Sequence, residues 1–185
     1  MKKKLKDIAE IKFCILEKGN EEKYLLTPAN LLEDNQISKI EKDEKFKRDE
    51  SVILKKGDII LKRINPTYVN YIDKDYANVY VGNNLIIIRA KEIDSKYLAA
   101  ILNANIRKYS ERNSVGSIIP SIGRKDIEEM KIIVCERRKQ EIIGNYWIKT
   151  IEKRILERKI IELEKKKNML IINKILNVNG GNVND

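Results

Sequence analysis

Two rhythms of apolar residues divide this chain. Before about residue 135 the apolar positions come in short runs broken by charge, glycine or amides: Ile11 to Leu16, Tyr24 to Thr27, Val52 to Leu54, Ile59 to Ile64, Leu85 to Ala90 and Lys131 to Cys135. Runs of this length rich in Ile and Val predict strands. From Glu136 to Asn177 the rhythm changes. Ile, Leu and Met recur among Lys, Arg and Glu with no proline and one early glycine, Gly144, which predicts a single long helix. At 1.5 Å per residue, such a run spans on the order of 60 Å, more than its own domain needs, so its apolar side requires a partner.

The strand region has internal punctuation. Lys56-Gly57-Asp58 between two apolar runs predicts a strand, turn and strand over Val52 to Ile64. Asn65 to Asn78 reads as a loop carrying Tyr68, Tyr71 and Tyr76 among Asn65, Asn70, Asn78 and Lys74. Tyrosines and amides so dispersed suit contacts to bases and phosphates, and equally suit packing in a hairpin. The unbroken run Leu85 to Ile88 predicts a strand buried on both faces. Asp94-Ser95 caps a predicted amphipathic helix carrying Tyr97, Leu98, Ile101 and Leu102, and Lys108 to Ser121 follows as a polar loop. Residues 33 to 51 read as exposed loop or strand, Leu5 opens a short helical stub, and Gly123 to Glu129 makes a capped helical turn. The fold class is α+β: a globular domain over 1–135, a long coiled-coil-forming helix over 136–178 and a disordered tail over 179–185. Within the helix, Leu156, Ile160, Leu163 and Leu170 follow heptad spacing, while Ile148, Ile151 and Ile155 lie on a stripe offset by one residue.

Charge narrows the list of partners. Among 185 residues, 38 Lys and Arg stand against 28 Asp and Glu, a net +10 that favours a polyanion such as nucleic acid. Codon bias toward A and T also yields Lys- and Ile-rich chains, so a generically basic protein is the competing reading. Histidine is absent, which excludes Ser/His/Asp and Cys/His nucleophiles and HExxH zinc sites. Cys14 and Cys135 match no zinc spacing and read as buried reduced thiols. No apolar run has signal-peptide or membrane-span length, so the expected location is cytoplasmic, with no membrane partner.

Three fragments invite a catalytic reading, and each has a simpler one. Asn65-Pro-Thr-Tyr68 resembles the Asn-Pro-Pro-Tyr motif of amino-methyltransferases, but no glycine-rich loop for S-adenosylmethionine precedes it, and a turn accounts for it. Glu129-Met-Lys131 fits half of a magnesium nuclease centre and lacks its Asp partner. Asp73-Lys-Asp75 reads as a polar turn. No catalytic residue, cofactor or metal is expected.

The order of the segments carries a resemblance. Leu5-Lys-Asp-Ile-Ala-Glu-Ile, Leu54-Lys-Lys-Gly-Asp-Ile-Ile-Leu, Lys96-Tyr-Leu-Ala-Ala-Ile-Leu-Asn, Gly116-Ser117, Asp126-Ile-Glu-Glu-Met-Lys-Ile-Ile-Val134 and Gln140-Glu-Ile-Ile lie in sequence before the long helix. Together they resemble one half of a specificity (S) subunit of a Type I restriction-modification system: one target recognition domain and one spacer helix. Where that family usually has proline before the Gln, this chain has Cys135-Glu-Arg-Arg-Lys.

The resemblance implies a non-catalytic subunit that reads a half-site in double-stranded DNA and docks the modification (methyltransferase) and restriction subunits through its helix. It also implies pairing through that helix with a second copy or with another half. The expected DNA contacts lie in two loops. Lys62, Arg63, Asn65, Tyr68, Asn70, Tyr71 and Lys74 make the first; Arg112, Asn113, Ser114, Ser117, Arg124 and Lys125 make the second. Arg and Asn suit bidentate reading of guanine and adenine. The alternative function is a coiled-coil interaction or regulatory protein that binds partner subunits and not DNA.

Overall fold

The computed structural model describes the backbone of residues 1–15, 17–47, 49–113 and 119–179, and their side chains except at 18, 21, 43–46, 113 and 177–179. The elements run β1 (Lys2–Lys4), α1 (Leu5–Ile8), β2 (Ala9–Phe13), β3 (Lys18–Leu26), β4 (Lys42–Phe46), β5 (Ile59–Lys62), β6 (Val69–Tyr71), β7 (Val79–Val81), β8 (Leu85–Ala90), α2 (Ser95–Asn113), α3 (Arg124–Glu129), β9 (Lys131–Ile133) and α4 (Arg137–Asn179). Two compact units result, Met1–Ile148 and Lys149–Asp185. The α+β class and the long C-terminal helix are as the sequence predicts.

The first unit is layered about an antiparallel sheet of order β2-β8-β5-β6. Its central strands carry the unbroken apolar runs Leu85 to Ile88 and Ile59 to Leu61, and alternation sends successive side chains to opposite faces. Ile59, Leu61, Ile86 and Ile88 pack with Tyr97, Leu98, Leu102 and Ile106 of α2. Ile60, Leu85 and Ile87 pack with Leu26, Leu31, Tyr80 and Val81 beneath a second sheet, β4-β3-β7. The expected two-faced burial of Leu85 to Ile88 follows from this sandwiching. A third, two-stranded ribbon joins β1 to β9, with Lys2 opposite Ile133.

Three sequence expectations give way. Val52 to Ile64 forms no hairpin, because β5 pairs with β6 and β8 and Val52 closes a 3₁₀ turn. The cause is Arg89: its guanidinium takes the carbonyls of Ser51 and Ile53 and both oxygens of Asp58, so residues 51 to 58 wrap around it. Gly57 still turns the chain there, at φ +88°. The loop from Asn65 holds β6, whose three residues are all buried. The polar loop expected from Lys108 is helix as far as Asn113. Ser110 is buried one turn after Ile106, and this small polar residue on the core face hid the helical period.

Candidate nucleic-acid interface

The two candidate loops meet. The Arg63 carbonyl accepts from the Ile122 amide at 2.9 Å, the Asn65 amide donates to the Pro120 carbonyl at 2.7 Å, and Ile64 bridges Ser121. On the other side the Arg63 amide donates to Asn84 at 2.8 Å, tying the same segment to the end of the β7–β8 turn. Asn65 sits at φ +49°, a left-handed conformation that Asn tolerates better than most residues. Asn65-Pro-Thr-Tyr68 is thus a braced turn, and its Tyr68 hydroxyl donates to the Leu31 carbonyl.

These braces present cations. Arg63, Asn65, Arg124 and Lys125 are exposed. Lys62 leans on the Tyr68 ring, 5.3 Å from its centroid, with its ammonium 3.3 Å from the hydroxyl. Arg124 stacks over Phe13 at 4.7 Å and meets Glu128 at 3.4 Å. Among the described residues Arg63 and Lys125 enter no ion pair, so their charge faces solvent.

The other candidates are placed elsewhere. Asn70 and Tyr71 belong to the core: Asn70 is fully buried, its amide donating to the Leu32 and Gln36 carbonyls, and Tyr71 packs in the α2-side core. Neither side chain reaches the surface, because β6 is buried on both faces. Arg112 is exposed on the last turn of α2; Ser114 and Ser117, like the Asn113 side chain, lie outside the described residues. Lys74 lies over Tyr76 at 5.2 Å. That pair has company the sequence reading missed: Lys42 over Tyr24 at 5.8 Å and Lys23 over Tyr80 at 4.9 Å, beside shallow hollows of about 350 and 300 Å³ that share Tyr24. Each pair joins residues from different strands or a strand and a turn, except Lys74 with Tyr76, so spacing along the chain could not announce them.

Glu129 is engaged structurally. Its carboxylate holds Lys4 at 2.6 Å and also Lys6, pinning the N-terminal segment to the end of α3. Hydrogen bonds from Lys4 and Lys6 pull its pKa from the ordinary 4.5 down to about 2. Because the folded value is depressed, this contribution is complete above pH 4.5 and fades as pH falls toward 2. Glu129→Gln should therefore flatten the pH dependence of urea-denaturation midpoints across that acid window while leaving it unchanged near neutrality. Equal acid slopes for both proteins would show that the ion pairs do not contribute to folding. Solvent exposure of 36% at Glu129 and 45% at both Lys4 and Lys6 limits the effect.

A basic, hydrogen-bonded double loop on an α+β domain that continues into a long helix defines a class of domains carried on helical arms. The chain belongs to the Type I restriction modification DNA specificity domain family, whose profile matches residues 1–165. Its fold is similar to that of the S subunit of the Type I restriction-modification system from M. genitalium, at TM-score 0.56 and 18% identity over 90% of this chain and 42% of that one. It is also similar to a chain from a structure on complex assembly and conformational transition of the type I R-M system, at TM-score 0.61 and 13% identity over 93% and 43%. The HsdS subunit from Thermoanaerobacter tengcongensis matches at TM-score 0.52 and 14% identity over 86% and 38%. The chain thus spans about two fifths of each solved structure. No curated protein matches it. No helix among the described residues is long and apolar enough to cross a membrane.

Proposed function

We propose that the chain is a sequence-specific reader of double-stranded DNA that works within a Type I restriction-modification complex and has no catalytic role of its own. The observation that carries this is the joining of two sequence-distant basic loops, 62–65 and 120–125, into one braced surface in a member of a DNA-specificity family. Lys62, Arg63 and Lys125 hold phosphates in this reading, and Asn65 meets a base edge.

The arm supplies the rest. In α4, Leu156, Ile160, Leu163 and Leu170 are each more than half exposed, an apolar stripe that accepts a second copy, another half-subunit or the helices of a modification subunit. Ile148, on the stripe offset by one residue, is partly covered by the domain core and so is less available to a partner.

The test is selection from random duplexes followed by titration at several salt concentrations. Arg63→Ala with Lys125→Ala should weaken binding to all duplexes and reduce the salt slope by about 0.9 per lost phosphate contact. Asn65→Ala should relax preference at one base pair, by about 1–3 kcal/mol. Failure to recover any motif, with the modification subunit present, would remove the DNA reading and favour a partner-binding role alone.

A further inference from the structure

The geometry points to a docking groove on the globular domain for an acidic, apolar-faced polypeptide segment of a partner protein. The groove is a cavity of about 710 Å³ between the second half of α2 and the strand β9. It runs along Ile101, Asn105, Lys108 and Arg112, one stripe of α2 that extends about 16 Å at helical rise. No residue of the paired loops 62–65 and 120–125 lines it, so the inference does not rest on the DNA reading.

Its chemistry is two-part. Ile101, Met130 and Ile132 make an apolar floor, and Ile133 stands beside it 56% exposed. Around the floor are four cations, Lys2, Lys108, Arg112 and Lys131, and among the described residues none of them enters an ion pair. The groove's one carboxylate, Glu129, is already held by Lys4 and Lys6. The rim is therefore positive and unmatched.

Charge complementarity with an apolar base selects the occupant. A phosphodiester backbone would satisfy the rim and leave the floor against charged oxygens, gaining nothing from burial. Stacking of an unpaired base has little to work with, because Tyr109, the single aromatic lining residue, is half-buried. A segment with Asp or Glu on one face and Leu or Ile on the other satisfies rim and floor together.

The probe is a fluorescein-labelled 12-residue peptide with Glu along one helical face and Leu along the other, titrated into the full chain by anisotropy. Saturable binding is expected, with hydrogen-exchange protection confined to 101–112 and 130–133. Lys108→Glu with Arg112→Glu should weaken it at least tenfold at an unchanged thermal midpoint, and Ile133→Asp should weaken it separately. A scrambled peptide of the same composition should bind less. No saturable binding, equal binding of the scrambled peptide, or protection elsewhere on the chain overturns the inference. Loss of duplex binding in the double variant with peptide binding intact would give the groove to DNA and overturn it as well.

Discussion

Asp58→Ala is expected to cost the fold about 3–5 kcal/mol, the usual penalty for stranding one member of a buried ion pair. Asp58 is 2% exposed and binds Arg89 through both oxygens, at 2.8 and 3.1 Å, while also accepting the Lys55 amide. Removing its carboxylate leaves a guanidinium beneath residues 51 to 58 with only the carbonyls of Ser51 and Ile53 to hold it. The double replacement Asp58→Leu, Arg89→Met should recover part of the loss and no more, since those two carbonyls then lose their donor. Urea denaturation of the single and double variants measures both effects. A loss below about 1 kcal/mol in Asp58→Ala would show that water reaches the guanidinium and compensates it.

Gly144→Ala should likewise weaken the protein, although alanine in a helix is ordinarily worth about 1 kcal/mol over glycine. A Cβ on Gly144 would lie 2.7 Å from the Tyr97 amide nitrogen, 2.8 Å from the Lys96 Cβ and 3.0 Å from the Asp94 Oδ1. These atoms belong to the start of α2, and the backbone nitrogen among them cannot swing away. One turn earlier, Gln140 is buried and fastens the same place: its Oε1 accepts the Asp94 amide at 2.9 Å and its Nε2 donates to the Cys135 carbonyl at 2.7 Å. Overpacking of this kind costs about 1–3 kcal/mol, enough to cancel the helical gain, and Gly144→Leu should cost more. Trp147, the one tryptophan, is packed against the domain core and reports the joint by its emission. A red shift is expected. Unchanged emission together with raised stability would mean that the joint admits the extra methyl without moving.

These two sites show which parts of the structure the sequence could disclose. The long helix was legible because forty residues without proline leave few alternatives, and the strand Leu85 to Ile88 because an unbroken apolar run needs cover on two sides. Gly144 was visible as an oddity in a helix, but its reason lies in α2, nearly fifty residues away. Nothing local to Arg89 announces that it organises Ser51, Ile53 and Asp58, so the sequence of Val52 to Ile64 has the pattern of a hairpin. The candidate site divides the same way. Residue type pointed to Arg63, Asn65, Arg124 and Lys125, which the fold exposes near one another, whereas Asn70 and Tyr71 have the right chemistry on a three-residue strand that is buried on both faces. A strand that short is too brief a run to announce burial on both faces. The Lys and Tyr pairs around Tyr24 depend on strand pairing, which local spacing does not encode.

The ribbon of β1 and β9 has a topological consequence. The amino group of Met1 lies 3.1 Å from the Val134 carbonyl, so the first and last strands of the domain lie side by side, directly before α4. Everything between those two strands is, mechanically, a detour. Its length and its loops can be exchanged for others without altering where the chain resumes, provided the ribbon still closes and Gln140 still finds Asp94.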